Sequence, residues 1–442
     1  MLRTSENVDL ISIINLSLKT AMHELIPGLS TLKPPKMHLV NQQFDRTCVA
    51  DVAGTVRTQL QQPQIANMLR PGMTVALALG SRGIANIAEI AKCVVENLKR
   101  RDIQSFIIPA MGSHGGATAD GQSQVLAKLD ITEQTMGVPI QSSMDAVQIG
   151  TVESPNGAEL PVYMDAAAHG RADLIIPICR VKAHTSFKGP VESGICKMFT
   201  IGLGKQIGCS RLHREGFAVF DRLIPAAAQV VINAGKLGFA LALVENAYEQ
   251  TAVIEAVPAD QAIDRDKQLL IHAKRVMARL LLPAVDVLVV EEIGKEISGV
   301  GMDSNVTGRG VTGFDGPRIE RIVVLGLTEK TTGNAHGIGN ADVITERAVS
   351  QVDRATTWTN TLTSGNLAIG KLPVALPTDD QAIMAAASCV PGVPATDAKI
   401  VRIKNTLSLG QIAVSESLLP IVRQTPGCEP LGPWDGQWNA ET

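Results

Sequence analysis

Residues 72–116, GMTVALALGSRGIANIAEIAKCVVENLKRRDIQSFIIPAMGSHGG, decide the fold. Thr74–Leu79 is a short apolar run held between Gly72 and Gly80, the pattern of a strand buried on both faces. Gly80-Ser81-Arg82-Gly83 breaks the run. Ile84, Ile87, Ala88, Ala91, Val94, Val95 and Leu98 then recur at helical spacing and end in Lys99-Arg100-Arg101, where cations suit the negative end of a helix. A second strand over 105–109 runs into the glycine loop Met111-Gly112-Ser113-His114-Gly115-Gly116, and another helix opens near Thr118. Strand, loop and helix in alternation predict an α/β fold with mainly parallel sheets, helices on both faces and ligands at the carboxyl ends of the strands.

The alternation continues on both sides of the chain's midpoint. Residues 148–152 and 160–163 flank Pro155-Asn156-Gly157, a turn that reads as a hairpin. Residues 173–178, DLIIPI, form another buried strand that runs into Val181-Lys182-Ala183-His184. A long amphipathic helix over 261–281 precedes a strand over 285–290, and the charged turn between them is the expected domain boundary. Two α/β domains follow, 1–280 and 281–442, with a closing stretch of about 25 residues expected to pack back on the first. In the second, the pattern predicts strands over 321–327 and 399–403 and helices over 341–352 and 379–387. The glycine-rich connectors 299–313 and 333–340 are long for a compact domain, and long ordered loops are often functional.

Composition narrows the function. The 442 residues carry a net charge of −3, which gives nucleic acid no electrostatic hold, and 3% aromatic residues leave little for base stacking. No apolar run approaches the roughly 18 residues of a spanning helix, and MLRTSENVDL lacks the pattern of a secretory leader, so the reading is a soluble cytoplasmic protein without a membrane partner. The seven cysteines are scattered, odd in number and without a CxxC pair, as expected of reduced thiols that serve as small buried hydrophobes.

The chemistry concentrates after the 173–178 strand. Residues 184–204 and the following Arg211-Leu-His213-Arg214 hold two of the chain's eight histidines together with Lys188, Lys197 and several glycines. Imidazole exchanges protons near neutral pH, and two imidazoles on opposite sides of a substrate can serve as acid and base in either direction. A racemase or epimerase needs that symmetry, and His114 and His184 are the candidates. The plainer alternative for each is a loop histidine bonded to nearby backbone.

Arg82, the glycine-flanked His114 in PAMGSHGG, His184, Ser193-Gly194-Ile-Cys-Lys197 and His213 sixteen residues beyond Lys197 form an ordered set that resembles the nickel-pincer lactate racemase family. The resemblance covers the N-terminal half well and the C-terminal half loosely. It implies a pyridinium mononucleotide with two sulfur-bearing groups, a nickel-pincer nucleotide, joined covalently to Lys197, with nickel held by cofactor donors and His213. A square-planar array with soft sulfur donors is coherent chemistry for nickel. The resemblance further implies racemisation or epimerisation of a small-molecule 2-hydroxy acid by reversible hydride transfer, with His114 and His184 exchanging the hydroxyl proton. Arg82 is implied as a carboxylate contact, with residues 1–280 as the catalytic and cofactor-binding domain and the active site in the cleft between domains. Cofactor-biosynthesis proteins are implied partners.

Departures bear on the substrate. The family's lactate enzymes carry an aspartate three residues before the arginine, where this chain has Leu79. After Asp303-Ser304-Asn305 the family's glutamine and lysine are replaced by Val306-Thr307-Gly308-Arg309, so Arg309 becomes a substitute anion contact and a larger or more polar 2-hydroxy acid replaces lactate. Two other readings compete. Gly202-Leu-Gly204-Lys-Gln-Ile-Gly208, followed by Asp221, approximates a dinucleotide loop of an NAD(P)-dependent oxidoreductase. Its spacing has one residue too many, and 209–215 looks too polar to pack a helix on a sheet. The third reading is a catalytically silent binding protein of the same fold, if Lys197 carries no cofactor.

Overall fold

The computed structural model describes residues 28–81, 83–311 and 313–439. Along the chain come β1 (Met37–Gln42), then β2 (Thr74–Leu79), β3 (Gln104–Pro109), β4 (Ala146–Glu153), β5 (Glu159–Asp165), β6 (Leu174–Arg180), β7 (Phe239–Glu245) and β8 (Thr251–Pro258). After these come β9 (Ala284–Val290), β10 (Arg318–Val324), β11 (Val343–Thr345), β12 (Val374–Leu376), β13 (Ile400–Ile403), β14 (Gln411–Ser415) and β15 (Cys428–Pro433). The helices that matter are α1 (Val52–Gln61), α2 (Ile87–Arg100), α3 (Ala119–Ala127), α4 (Lys205–His213), α5 (Phe220–Asn233), α6 (Ala262–Val276) and α7 (Asp379–Ser388). The fold is α/β with mainly parallel sheets.

Asp45–Met277 form one unit. Its five-stranded sheet has the order β3-β2-β6-β7-β8, parallel except for the antiparallel edge strand β8. Alternate residues of each strand enter different cores. Val75, Leu77, Leu79, Phe239, Leu241 and Leu243 pack with α1 and α2 on one face. Ala76, Ala78, Ala240 and Ala242 lie on the other, where their small size makes room for Ile195–Leu203, α5 and α6. Burial on both faces explains why TVALAL reads as a continuous apolar run rather than an alternating one. The expected hairpin forms from β4 and β5, with Gly157 at φ +82° in its turn.

The chain leaves β2 through α2 on one face to reach β3, then returns to β6 on the other side of β2 and continues on the opposite face. The loops after β2 and β6 therefore diverge, which opens a crevice at the carboxyl ends of the strands. The order corresponds to that of flavodoxin-like sheets.

The second unit takes the described residues up to Phe44 together with those from Ala278 onward. Its eight-stranded sheet has the order β12-β11-β10-β9-β13-β14-β1-β15. The first five strands are parallel, while β14, β1 and β15 pair antiparallel. α7 covers one face, against Val287, Val289 and Val323, and Leu288, Val290, Ile322 and Val324 fill the core on the other.

Three expectations need correction. Residues 28–44 do not belong with the N-terminal unit, because β1 finds its partners in β14 and β15, and the boundary falls at Met277/Ala278 rather than 280/281. The closing stretch supplies β15, which pairs with β1, inside the span expected for the first domain, but β1 itself belongs to the second unit. The helix expected over 341–352 is a strand followed by a short helix. Val343, Ile344 and Thr345 form β11, with β10 and β12 beside it, and Thr345 then caps a helix over Glu346–Gln351. Short apolar runs do not distinguish the two states by periodicity, and β-branched residues favour the strand.

Candidate active site

His114, His184, Lys197 and His213 all lie in the unit of Asp45–Met277, around loops that leave β3 and β6. His114 is exposed, and its Nδ1 hydrogen-bonds the Ser81 hydroxyl from the loop after β2. A hydroxyl can donate or accept, so this contact allows either nitrogen of His114 to carry the proton. Gly112, two residues earlier, sits at φ +58°, and a Cβ there would lie 3.0 Å from the Ile201 carbonyl oxygen and 3.3 Å from the Cys209 sulfur. Glycine is what lets this loop press against α4.

The loop after β6 is pinched shut by paired main-chain bonds between Lys182 and Ser193, 2.8 and 3.2 Å. The wholly buried Glu192 carboxylate lies inside it. It accepts from the main-chain N–H of His184 at 2.6 Å and pairs with Lys274 of α6 at 2.6 Å. The Ser186 N–H donates to Nδ1 of His184 at 3.0 Å. A main-chain N–H can only donate, so in the neutral ring the proton sits on Nε2.

Lys197 ends a single helical turn, Ile195–Lys197, whose start donates to the buried Asp266 carboxylate of α6, the Cys196 N–H at 2.9 Å. Gly194 has to be glycine, because a Cβ would meet Asp266 Oδ1 at 2.1 Å. Burial raises the Asp266 carboxyl above its ordinary range, against the pull of the Cys196 and Ile195 N–H groups.

His213 closes α4. Its Nδ1 lies 2.7 Å from the Cys209 carbonyl oxygen and 3.4 Å from the Cys209 sulfur. The carbonyl can only accept, so Nδ1 bears a proton and Nε2 is the nitrogen with a lone pair, the tautomer typical of a ligating histidine. Burial works against the charged ring, yet the bonds to Cys209 outweigh it and raise the His213 pKa, with the Lys197 ammonium pulling it down. Burial likewise acts to raise the Cys209 thiol, and its bonds to His213 and then Ser113 leave it lowered. Phe217 joins the two histidines, with its ring centroid 5.8 Å from His184 and 5.7 Å from His213, and Phe187 and Phe220 extend this apolar wall.

Other expectations fall elsewhere. Arg82 lies outside the described residues. Arg309 is in the second unit, where its guanidinium donates to the Glu320 carbonyl and pairs with Asp342, both at 2.9 Å. Gly202–Gly208 does not follow a strand; it runs from a helical turn directly into α4, which lacks the strand-loop-helix context of a dinucleotide site. Residues 209–215, expected to be too polar to pack a helix on a sheet, belong in part to α4, which buries Gly208, Cys209 and Leu212 on the side of the β4–β5 hairpin. Among the described residues no three His, Cys, Asp or Glu side chains gather as a metal site.

Sequence reading missed Cys209, Ser81, Glu192 and Asp266. The first had a signal, since Cys209 and His213 stand four apart and share a helix face. The others act through contacts made only by the folded chain.

Among the described residues no helix is long and apolar enough to cross a membrane. No protein-family model and no curated protein matches the chain. Among solved structures it is similar to a Thermotoga maritima protein of the Northeast Structural Genomics Consortium, at 13% identity over 62% of this chain and 69% of that one, with a TM-score of 0.47. It is also similar to the lactate racemase apoprotein of Thermoanaerobacterium thermosaccharolyticum, at 13% identity over 84% of this chain and 94% of that one, with a TM-score of 0.49.

Proposed function

We propose that the chain is a racemase or epimerase that inverts the α-carbon of a 2-hydroxy acid other than lactate. The observation that supports it is the Nδ1-protonated His213, which feels the Lys197 ammonium and shares the Phe217 ring with His184. His213 offers one imidazole lone pair and Lys197 one amine, which fits a nickel-pincer nucleotide tethered at Lys197 and ligated by Nε2 of His213. When bound, that nucleotide supplies the hydride-accepting chemistry that the side chains lack.

The residues of the chain handle the proton. His114, whose Ser81 contact accommodates either tautomer, takes the substrate hydroxyl proton. His184 presents Nε2 and donates from its charged form, with Nδ1 also protonated and the bond from the Ser186 N–H given up, which leaves Nε2 with a lone pair for the return step. The roles exchange for the opposite enantiomer. The phenylalanine wall keeps water from the site, and Arg82 is the proposed carboxylate contact, whereas the Arg309 guanidinium is engaged by the Glu320 carbonyl and Asp342 in the second unit. The partners on this reading are the substrate and the proteins that make the cofactor.

The test is intact mass and nickel content of protein co-produced with cofactor-making enzymes, then peptide mapping around Lys197 and a panel of chiral 2-hydroxy acids. A nickel-bearing adduct on Lys197 with loss of optical purity is the expected result. An unmodified, nickel-free chain under those conditions would refute the reading.

A further inference from the structure

Lys205 is wholly buried, with none of its surface exposed, and no part of the proton chemistry above uses it. It opens α4, the helix that ends in His213, and its backbone is left-handed at φ +54°, which is uncommon for a residue with a side chain. Its ammonium reaches the Asp165 carboxylate at 2.9 Å, the Pro109 carbonyl at 2.8 Å and Gln122 Oε1 at a long 3.5 Å. Gln122, also wholly buried, turns its amide N–H groups to the carbonyls of Gly112 at 2.9 Å and His114 at 3.2 Å.

A charge pair buried for stability alone is a poor investment, because well-packed apolar side chains of similar size do as well or better. What an apolar side chain cannot do is hold main-chain carbonyls. Pro109 ends β3, Gly112 and His114 belong to the loop after it, and their carbonyl oxygens are held by Lys205 or by its neighbour Gln122. Strained backbone that persists in a buried position points to a constraint set by function.

We propose that Lys205 is a positioning residue: it clamps the His114 loop to the start of the His213 helix, with Gln122 as relay, and so sets the spacing between the two imidazoles. The importance of that spacing rests on the function proposed above, but its test does not, because the ring signals can be read without substrate or cofactor.

The experiment is imidazole nitrogen and carbon NMR of the full chain labelled at histidine, with His114 and His213 assigned by their loss in His114→Gln and His213→Gln. Lys205→Met is expected to lower the melting temperature by leaving Asp165 buried and unpaired. The double variant Lys205→Met with Asp165→Asn, whose amide oxygen still accepts from the Ala168 N–H, is expected to regain it, while both imidazole signals stay shifted. Gln122→Met, which spares the Lys205–Asp165 pair, is expected to shift His114 and leave His213 in place. A double variant with parental melting and parental His114 and His213 signals would overturn the proposal and reduce Lys205 to a charge pair. Should the double variant not fold, unchanged His114 signals in Gln122→Met would overturn it instead.

Discussion

The Nδ1–H of His213 donates to the Cys209 carbonyl across one helical turn, and the Cys209 sulfur lies beside the same nitrogen. The thiol contact raises the His213 pKa while burial and Lys197 lower it. Cys209→Ala removes the sulfur and keeps the carbonyl, so the His213 pKa is expected to fall. Titration of the His213 ring protons by NMR measures this, and an unchanged midpoint would separate the thiol from the ring.

The proposed proton pair makes a different demand. In cofactor-loaded enzyme, His114→Ala and His184→Ala are each expected to reduce turnover by about 10² to 10⁴ with nickel content intact. His213→Ala is expected to lose nickel. Nickel loss in either of the first two would move that histidine from proton transfer to metal binding.

Glu192 holds the His184 loop from within. Replacing it by Leu strips the carboxylate from the His184 N–H and from Lys274, two partners bonded at 2.6 Å. The expected cost is about 3 kcal/mol in denaturant unfolding, with Glu192→Gln costing less because its amide oxygen still accepts. Equal stability of parent and Leu variant would contradict this account of the loop.

His336, in the second unit, is 3% exposed, and burial, then the Lys295 ammonium, pushes its pKa down to about 4. The unfolded chain binds a proton near pH 6.5 that the folded chain does not, so the contribution is complete above that pH and is lost as pH falls toward 4. The slope is roughly 1.4 kcal/mol per pH unit across this window. His336→Asn is expected to flatten stability between pH 7 and pH 5 in urea unfolding, relative to the parent.

Much of the site's surroundings was legible in the chain. The runs TVALAL and DLIIPI announced β2 and β6 because strands buried on both faces need apolar residues at every position. The loops holding His114 and His184 followed from where those runs and the 105–109 run end. Lys197 and His213 were marked by family resemblance, and only the fold brings them near enough for the Lys197 ammonium to disfavour the charged His213 ring. The strand in Val343–Thr345 was misread as helix because three β-branched or apolar residues carry too little periodicity to decide.

Sequence alone therefore determined what local pattern can express: α/β class, the alternation of strands and helices, the hairpin at Gly157 and the loops that carry histidine. Tertiary structure decided what depends on partners far along the chain. It paired β1 with β14 and β15, and it set Asp266 against the turn of Lys197. It also buried Lys205 on Asp165 and on the carbonyl of Pro109. Local periodicity records how much of a segment is buried, whereas a hydrogen bond or charge pair depends on which group the completed fold brings within 3 Å or so of another.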